Sequence, residues 1–147
     1  MRQVDIIVPV YNGLEDLKKC VESVKRHTDL KVHRLILVDD KSPDEKVLPY
    51  LESLQEEGIH LIASPENEGF SASVNKGMEY SDRDVILLNS DTIVTRGWVE
   101  KLIACAYSTA AAATVTPMSN AATLCSVPEF LQDNQLPEGY TVDDMGD

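Results

Sequence analysis

The chain has 147 residues, of which 43% are hydrophobic and 26% are charged, and these fractions are typical of a single globular domain. Its formal charge of -12 argues against nucleic acid as a partner, because phosphate backbones are bound by basic surfaces. No apolar run approaches the roughly 20 residues of a membrane-spanning helix, and the first residues do not resemble a signal peptide. The 3 cysteines include no Cys-x-x-Cys pair, so neither a zinc site nor a disulfide framework is indicated. We therefore expect a cytoplasmic domain that would need a metal ion or a few lysines to hold an anion.

Apolar runs alternate with amphipathic segments along most of the chain. Strands are predicted at Val4–Val10, Leu35–Val38, Ile59–Ala63 and Asp84–Leu88. Apolar residues at helical spacing predict helices from Leu14 to about His27, from Pro43 to a stop at Gly58, from Phe70 past Met78, and from about Trp98 to Tyr107. This alternation indicates βαβ units and an α/β fold. Because crossovers are right-handed, we expect a doubly wound, mainly parallel sheet with its strands in the order 3-2-1-4.

Two local patterns give sharper predictions about these elements. Ser42, Pro43 and Glu45 have the spacing of an N-cap, a first helical residue and a capping box, so they predict the start of the second helix. The apolar run Val85–Leu88 predicts a short buried strand that ends at the polar turn Asn-Ser-Asp.

The C-terminal part of the sequence is less regular. Residues 112–115 are compatible with a fifth strand, although the run of alanines before them is a poor strand former. Residues 133–147 are polar and acidic and predict a poorly ordered tail. The expected organisation is therefore one folded domain over residues 1–132, followed by this tail.

Polar residues follow three of the predicted strands. The segments are 9–12 after the first strand, 39–42 after the second and 89–91 after the fourth. Since the carboxyl ends of parallel strands meet at one edge, we expect these segments to lie together. Like charges repel, so carboxylates at two strand ends indicate a shared cation or a network of donors.

Two common phosphate-binding motifs are absent from the sequence. A dinucleotide site needs Gly-x-Gly-x-x-Gly after the first strand, where this chain has only Gly13. A P-loop needs Gly-Lys-Ser/Thr, which occurs nowhere in the chain. If phosphates are bound, they must be held in another way, and Asp91 with a divalent metal is the candidate.

Four motifs in order resemble those of a family 2 glycosyltransferase with the GT-A fold. They are Ile7-Val8-Pro9-Val10-Tyr11-Asn12, Leu37-Val38-Asp39-Asp40-Lys41-Ser42, Asn67-Glu68-Gly69-Phe70-Ser71-Ala72-Ser73-Val74-Asn75-Lys76-Gly77 and Leu87-Leu88-Asn89-Ser90-Asp91-Thr92. The resemblance covers most of the chain up to about residue 120 and is closest to rhamnosyltransferase-like members. It implies a GT-A, Rossmann-like architecture and transfer of a sugar from a nucleotide-diphosphate donor with inversion at the anomeric carbon.

The resemblance also implies which residues would bind the nucleoside. Pro9, Tyr11 and Asp39 would line the base pocket, and the Asp39 carboxylate would accept a hydrogen bond from a pyrimidine N–H. Asn12 would belong to the same substrate site. Asp40 would lie near the ribose or structure the loop beside it. The donor is expected to be of the UDP or dTDP type.

A second group of residues would hold the diphosphate according to the same resemblance. Asn75 and Lys76 would face the donor, with the lysine near the phosphates. Asn89, Ser90 and Asp91 match an Asp-x-Asp motif, in which the last carboxylate binds Mn²⁺ or Mg²⁺ that bridges the phosphates. Asn89 departs from the motif, and this lowers the negative charge of the site.

The resemblance leaves the catalytic base unassigned. Inverting transfer needs a carboxylate that takes the proton of the acceptor hydroxyl, and no residue of this chain matches it. The chain therefore resembles the donor-binding part of a longer transferase whose acceptor would be a glycan or a lipid-linked molecule. One alternative is a non-catalytic nucleotide-binding or assembly module. A sugar nucleotidylyltransferase is a weaker alternative, because residues 9–13 lack a glycine- and arginine-rich phosphate loop.

Overall fold

The structure is a computed structural model that describes residues 2–55, 57–122, 125–129 and 131–146. Strands and helices alternate in it as the sequence predicts. The strands are β1 (Val4–Val10), β2 (Arg34–Asp39), β3 (His60–Ala63) and β4 (Asp84–Leu87). The α-helices are α1 (Leu14–His27), α2 (Val47–Gln55), α3 (Phe70–Tyr80) and α4 (Trp98–Ala106), and a single 3₁₀ turn covers Asp144–Gly146.

The four strands form one parallel sheet in the order β3-β2-β1-β4, which confirms the predicted topology. All seven residues of β1 are buried. Because neighbouring residues of a strand point to opposite faces, both faces of the sheet are covered at β1. The sequence of this strand, which is apolar at every position except Asp5, is explained by its central position.

Pro9 fits in this central strand because of the register. The carbonyl of Val10 faces β2, where it accepts a hydrogen bond from Asp40 N–H, and the carbonyl of Ile7 faces β4, where it accepts one from Leu88 N–H. Backbone groups alternate sides along a strand, so residue 9 faces the side of β4. The β4 ladder has ended at the pair of Ile7 with Leu87, and the missing N–H of Pro9 therefore costs no ladder hydrogen bond.

Helix α3 packs directly on the sheet against β1 and β2. Gly77 is buried in this helix, and a Cβ atom at its position would lie 2.4 Å from Cγ2 of Ile7. The core around Ile7 contains Ile36 and Val38 of β2. The close approach of α3 therefore requires a residue without a side chain at position 77.

A buried ion cluster closes the amino end of the sheet. Asp5 is fully buried, and its carboxylate accepts hydrogen bonds from Arg34 Nε at 2.7 Å, from Arg34 Nη2, from Ser81 Oγ at 2.6 Å and from Arg83 Nη1 at 3.5 Å. Burial raises the pKa of Asp5, but the hydrogen bonds and charges of the two arginines, together with the Ser81 hydroxyl, outweigh it, so the net pKa is lowered. The cluster ties β1, β2 and the segment before β4 together.

Two local predictions about these elements are corrected. Helix α2 begins at Val47, not at Pro43, because the Ser42 side chain accepts a hydrogen bond from Asn12 N–H and does not cap a helix. Strand β4 is an edge strand and is not fully buried: Leu87 is 45% exposed, since only β1 lies beside it.

The chain divides into two compact units, Met1–Val94 and Thr95–Asp147. The second unit contains α4, which begins after Gly97 in the left-handed conformation.

No fifth strand forms at residues 112–115, which is the third correction and agrees with the low strand propensity of alanine. Farther along, the side-chain amide of Asn134 donates to Ser126 Oγ at 2.8 Å. Among the described residues, no helix is long and apolar enough to cross a membrane.

Candidate functional site

The turns after β1, β2 and β4 lie at one edge of the sheet, as predicted from the parallel topology. On one side of β1, the backbone bond from Asp40 to Val10 at 2.9 Å joins the second turn to the end of β1. On the other side, Leu88 N–H donates to the Ile7 carbonyl at 2.9 Å, which joins the fourth strand's exit to β1. All three turns belong to the first compact unit.

The first and second turns are joined by polar contacts of Asn12 and Ser42. Asn12 adopts a left-handed backbone, with φ of 59°, which asparagine tolerates better than most residues. Its N–H donates to Ser42 Oγ at 2.9 Å, and its side-chain oxygen accepts from Asp44 N–H at 3.0 Å. The side chain of Asn12 therefore holds the turn, and its contact to a substrate stays a prediction.

Asp39 is a buried carboxylate with one oxygen in use. It is 3% exposed, and its Oδ1 accepts a hydrogen bond from Ser42 N–H at 3.2 Å. Within the described part of the chain, no donor is bonded to Oδ2. Tyr11 follows β1 at the same edge and is 55% exposed, whereas Pro9 is buried within the strand. Asp39 therefore keeps one acceptor atom without a donor from the described residues, at the same sheet edge as the exposed ring of Tyr11.

Both oxygens of the neighbouring carboxylate, Asp40, accept hydrogen bonds from the protein. Its Oδ1 accepts from Glu68 N–H and its Oδ2 from Gly69 N–H, both at 2.8 Å, and its carbonyl accepts from the Asn67 side chain at 3.3 Å. Asp40 is 4% exposed. Of the two roles that the sequence left open for Asp40, the contacts favour structuring the loop before α3.

Lys76 lies on α3 with its charge already paired. Its Nζ donates to Ser64 Oγ at 2.9 Å and forms an ion pair with Glu68. The adjacent Asn75 is exposed. Lys76 therefore lies at the edge where it is expected, but its ammonium group contacts the loop that Asp40 holds.

The turn after β4 carries Asn89, Ser90 and Asp91. Asn89 and Asp91 are exposed, and Ser90 is half-buried. The turn is closed by a hydrogen bond from Thr92 N–H to the Asn89 carbonyl at 3.1 Å. In the part of the chain that the structure describes, no hydrogen bond or ion pair is made by the Asp91 carboxylate.

The donor set at this turn fits a metal site in which the substrate supplies most of the ligands. The described residues contain no group of three His, Cys, Asp or Glu side chains that could hold a metal ion. However, Mg²⁺ is commonly bound by one or two carboxylates, with substrate phosphates and water completing its coordination. The single exposed carboxylate of Asp91 fits that arrangement, in which the nucleotide supplies most of the ligands.

Sequence reasoning did not identify three residues around this edge. Glu68 pairs with Lys76, and Cys20 and Ser23 of α1 contact the turn that carries Asp91. Glu68 occurs within a recognised motif, but its partner lies eight residues away on a helix. Cys20 and Ser23 lie on the buried face of α1, where the sequence pattern indicates packing and nothing more.

A cavity of about 420 Å³ lies far from these turns, at the amino end of the strands. It is lined by Arg2, Gln3, Asp82, Arg83 and Asp84. These residues were not predicted to bind a ligand, and Arg83 is engaged with Asp5.

Comparisons with known proteins identify the family. The sequence profile described as Glycosyl transferase family 2 matches residues 5–122. The chain is 29% identical over 101 residues to Glycosyltransferase AglE of Haloferax volcanii, covering 67% of this chain and 33% of that protein. It is 33% identical over 108 residues to the pre-mycofactocin glycosyltransferase of Mycobacterium tuberculosis, covering 69% of this chain and 20% of that protein. The chain therefore spans a third or less of these relatives' length.

Solved structures show the same fold at lower identity. TarS residues 1–349 of S. aureus in complex with UDP match with a TM-score of 0.62 at 19% identity, over 69% of this chain and 31% of that one. GalNAc-T7 with UDP, GalNAc and Mn²⁺ matches with a TM-score of 0.61 at 21% identity, over 71% and 21%. The mannosyltransferase of Pyrobaculum calidifontis with GDP-Man and Mn²⁺ matches with a TM-score of 0.60 at 18% identity, over 69% and 31%. With a profile match over most of its length and this architecture, the chain belongs to glycosyl transferase family 2 and has the GT-A fold.

Proposed function

We propose that this chain binds the donor in a reaction that transfers a sugar from a nucleotide diphosphate to an acceptor, with inversion at the anomeric carbon. The observation that carries the proposal is the placement of Asp39 and Asp91 at the same sheet edge, each with an unused carboxylate oxygen. Ligands of open α/β sheets bind outside the carboxyl ends of the strands, at this kind of edge. The nucleotides named in the related structures support the same class of ligand.

The nucleoside would bind at the first and second turns. Asp39 Oδ2 would accept a hydrogen bond from a base N–H, and a charge-assisted bond of this kind is stronger than a neutral one. Tyr11 would supply an exposed ring beside the base, with Pro9 behind it. Asn12 and Asp40 would act mainly by holding these turns in place, since their polar atoms are bonded within the protein.

The diphosphate would bind at the third turn. Asp91 would hold Mn²⁺ or Mg²⁺ together with phosphate oxygens, and Asn89 and Ser90 would offer neutral polar groups beside it. The metal, when bound, would stabilise the charge that develops on the departing diphosphate. A local cation also explains how a chain with a net charge of -12 could hold an anion.

Lys76 would bind the diphosphate by exchanging its ion pair with Glu68 for one with a phosphate group. Its present ion pair with Glu68 is about one-third exposed on both sides. Partly solvated pairs of this type are worth about 0–1 kcal/mol, so a diphosphate could compete for the lysine at little cost. Asn75, exposed on the same helix, would face the donor.

A second candidate function is a non-catalytic nucleotide-binding module. It is favoured by one observation: among the described residues at the sheet edge, none matches the carboxylate base that would take the proton of the acceptor hydroxyl. Both candidates require nucleotide binding, so binding is tested first and sugar transfer second.

Isothermal titration calorimetry with UDP, dTDP and GDP, each with and without Mn²⁺, tests the binding step. We expect at least one nucleotide to bind with a metal-dependent affinity. Asp91→Ala should weaken that affinity by about tenfold or more, which corresponds to about 1.4 kcal/mol, while Asp29→Ala, an exposed carboxylate at the opposite end of the sheet, should have no effect. Asp39→Asn should weaken binding even without metal. Absence of binding to all three nucleotides would contradict the proposal.

A further inference from the structure

Helix α1 contacts both ends of the turn that carries Asp91. At one end, Cys20 Sγ donates to the Asn89 carbonyl at 3.6 Å, and at the other end Val94 N–H donates to Ser23 Oγ at 3.1 Å. Residues 20 and 23 are one helical turn apart and therefore share a face of α1. Asp91 lies in the segment between the two contacts.

The hydroxyl of Ser23 is fully used in this contact. It accepts from Val94 N–H and donates to the Cys20 carbonyl at 2.8 Å. Ser23 is 7% exposed and Val94 is 6% exposed. Removal of the hydroxyl would leave the Val94 amide buried without its partner, and a buried unpaired amide is unfavourable. We therefore expect this end of the turn to be held less firmly.

Cys20 acts at this contact as a neutral thiol. Cys20 is fully buried, and burial raises the pKa of its thiol to about 12. The negative charge of Asp91 also raises this pKa, while a hydrogen bond with the backbone of Thr92 lowers it. The protonated thiol can donate to the Asn89 carbonyl, which a thiolate could not do.

The position of Asp91 depends on these backbone contacts because its own side chain has no anchor. Its carboxylate is exposed and makes no hydrogen bond within the described residues. The turn contains one internal hydrogen bond, from Thr92 N–H to the Asn89 carbonyl. The direction in which Asp91 presents its carboxylate is therefore set by how the turn is held on α1.

We propose that Ser23, supported by Cys20, is a positioning residue that fixes the Asp91 turn for metal-dependent binding of a nucleotide diphosphate. This inference rests on the proposed function, since it assigns a role toward the same site. Loss of a group that hydrogen-bonds a metal ligand directly typically lowers metal affinity 10- to 100-fold. Ser23 acts one step farther away, through the backbone at Val94, so we expect an effect at the lower end of that range.

The test compares Ser23→Ala with a matched serine that lacks a partner. Ser73 on α3 is 1% exposed, and its hydroxyl has no hydrogen-bond partner among the described residues. The Kd for UDP, or for dTDP or GDP if one of these binds more tightly, is measured by calorimetry with and without Mn²⁺ for the wild type, Ser23→Ala, Ser73→Ala and Ser23→Thr. Because Thr keeps the hydroxyl, Ser23→Thr serves as the rescue variant. Cys20→Ala, which keeps the Ser23 hydroxyl, is measured as a second variant in case Ser23→Ala does not fold.

We expect Ser23→Ala to raise the Kd with Mn²⁺ by about tenfold and to change the Kd without Mn²⁺ by less than about twofold. Ser73→Ala should leave both constants unchanged, Ser23→Thr should restore wild-type binding, and Cys20→Ala should raise only the metal-dependent Kd. If the wild type binds UDP with Mn²⁺ but Ser23→Ala matches Ser73→Ala, or loses affinity equally with and without metal, the positioning role is overturned and the proposed function stands. If the wild type binds its nucleotide equally well with and without Mn²⁺, the positioning role alone is overturned. If it binds none of UDP, dTDP and GDP, the proposed function fails and the positioning role fails with it.

Discussion

Replacement of Asp40 by asparagine tests how the loop before α3 is held at the candidate site. The carboxylate is 4% exposed and accepts two backbone hydrogen bonds of 2.8 Å, one on each oxygen. Asn has the same shape but only one side-chain oxygen. In either orientation, its NH₂ group would therefore face the N–H of Glu68 or Gly69.

The expected cost follows from those two bonds. A hydrogen bond to a charged group contributes about 1.5–3 kcal/mol, and a neutral one about 0.5–1.5 kcal/mol. The variant loses one bond and keeps the other in its weaker, neutral form. Because Glu68 is exposed, the amide that loses its partner can hydrogen-bond to water when the loop moves. We therefore expect a loss of about 2–3 kcal/mol in the free energy of unfolding, near the smallest loss that these two values allow.

Two measurements check this expectation. Urea denaturation gives the change in the free energy of unfolding, and amide hydrogen exchange followed by NMR should show faster exchange at Glu68 and Gly69. Asp29→Asn is the control, because Asp29 is exposed and accepts a single hydrogen bond from Lys31 N–H at 3.0 Å. The control should stay within about 0.5 kcal/mol of the wild type. Equal stability of the two variants, with unchanged exchange at both loop amides, would refute the anchoring role of Asp40.

Three further predictions concern the core of the first unit. Asp5→Asn should lower the free energy of unfolding by about 2–4 kcal/mol at pH 7, because it breaks a buried pair with Arg34. Since the folded pKa of Asp5 is lowered, this contribution is complete above the unfolded pKa of about 3.9. It declines as the pH falls below that value toward the folded pKa, so the difference between the urea curves of wild type and variant should shrink as the pH is lowered below about 3.9. Gly77→Ala should lower stability by about 1–2 kcal/mol, because overpacking against Ile7 exceeds the gain in helix propensity; a stabilised variant would contradict this packing. Cys20 should resist alkylation at pH 8 in the folded protein and react after unfolding in urea, and rapid native labelling observed by mass spectrometry would contradict its burial and raised pKa.

The strand order and the central position of β1 could be predicted from the sequence because each depends on long, simple patterns. Val4–Val10 is apolar at nearly every position, and a strand of this kind must be covered on both faces. Alternation of such strands with helices then restricts the topology. The edge position of β4 follows from the same order, yet its apolar sequence alone suggested complete burial. Burial depends on how many neighbours a strand has, and a short sequence does not record that number.

The start of α2 was predicted wrongly because a side chain has a partner distant in sequence. Ser42 has the spacing of an N-cap, but Asn12, 30 residues earlier, donates to its hydroxyl. Helix propensity alone describes Gly77 as a residue that weakens a helix, whereas in the structure its missing side chain lets α3 approach Ile7. Local rules describe what a residue can do, and tertiary contacts decide which of those options is used.

In the candidate site, too, some positions could be predicted from the sequence and some contacts could not. The positions of Asp39 and Asp91 at one edge follow from topology, so they could be predicted. The engagement of Asp40 with Glu68 and Gly69 could not, because it depends on the path of a loop. Lys76 illustrates the limit most clearly: the motif places it near the edge, but only the structure pairs it with its loop partner.

The central claim is that the carboxyl edge of the sheet binds a nucleotide diphosphate. It is tested most directly by two-dimensional ¹H–¹⁵N NMR of the isotope-labelled chain during titration with UDP and Mg²⁺. We predict chemical-shift changes at the amides of residues 10–12, 39–42 and 89–92, which form the three turns at that edge, and little change at residues 82–84 beside the cavity at the amino end. A spectrum without changes at the three turns, or with changes concentrated at residues 82–84, would contradict the assignment of the site.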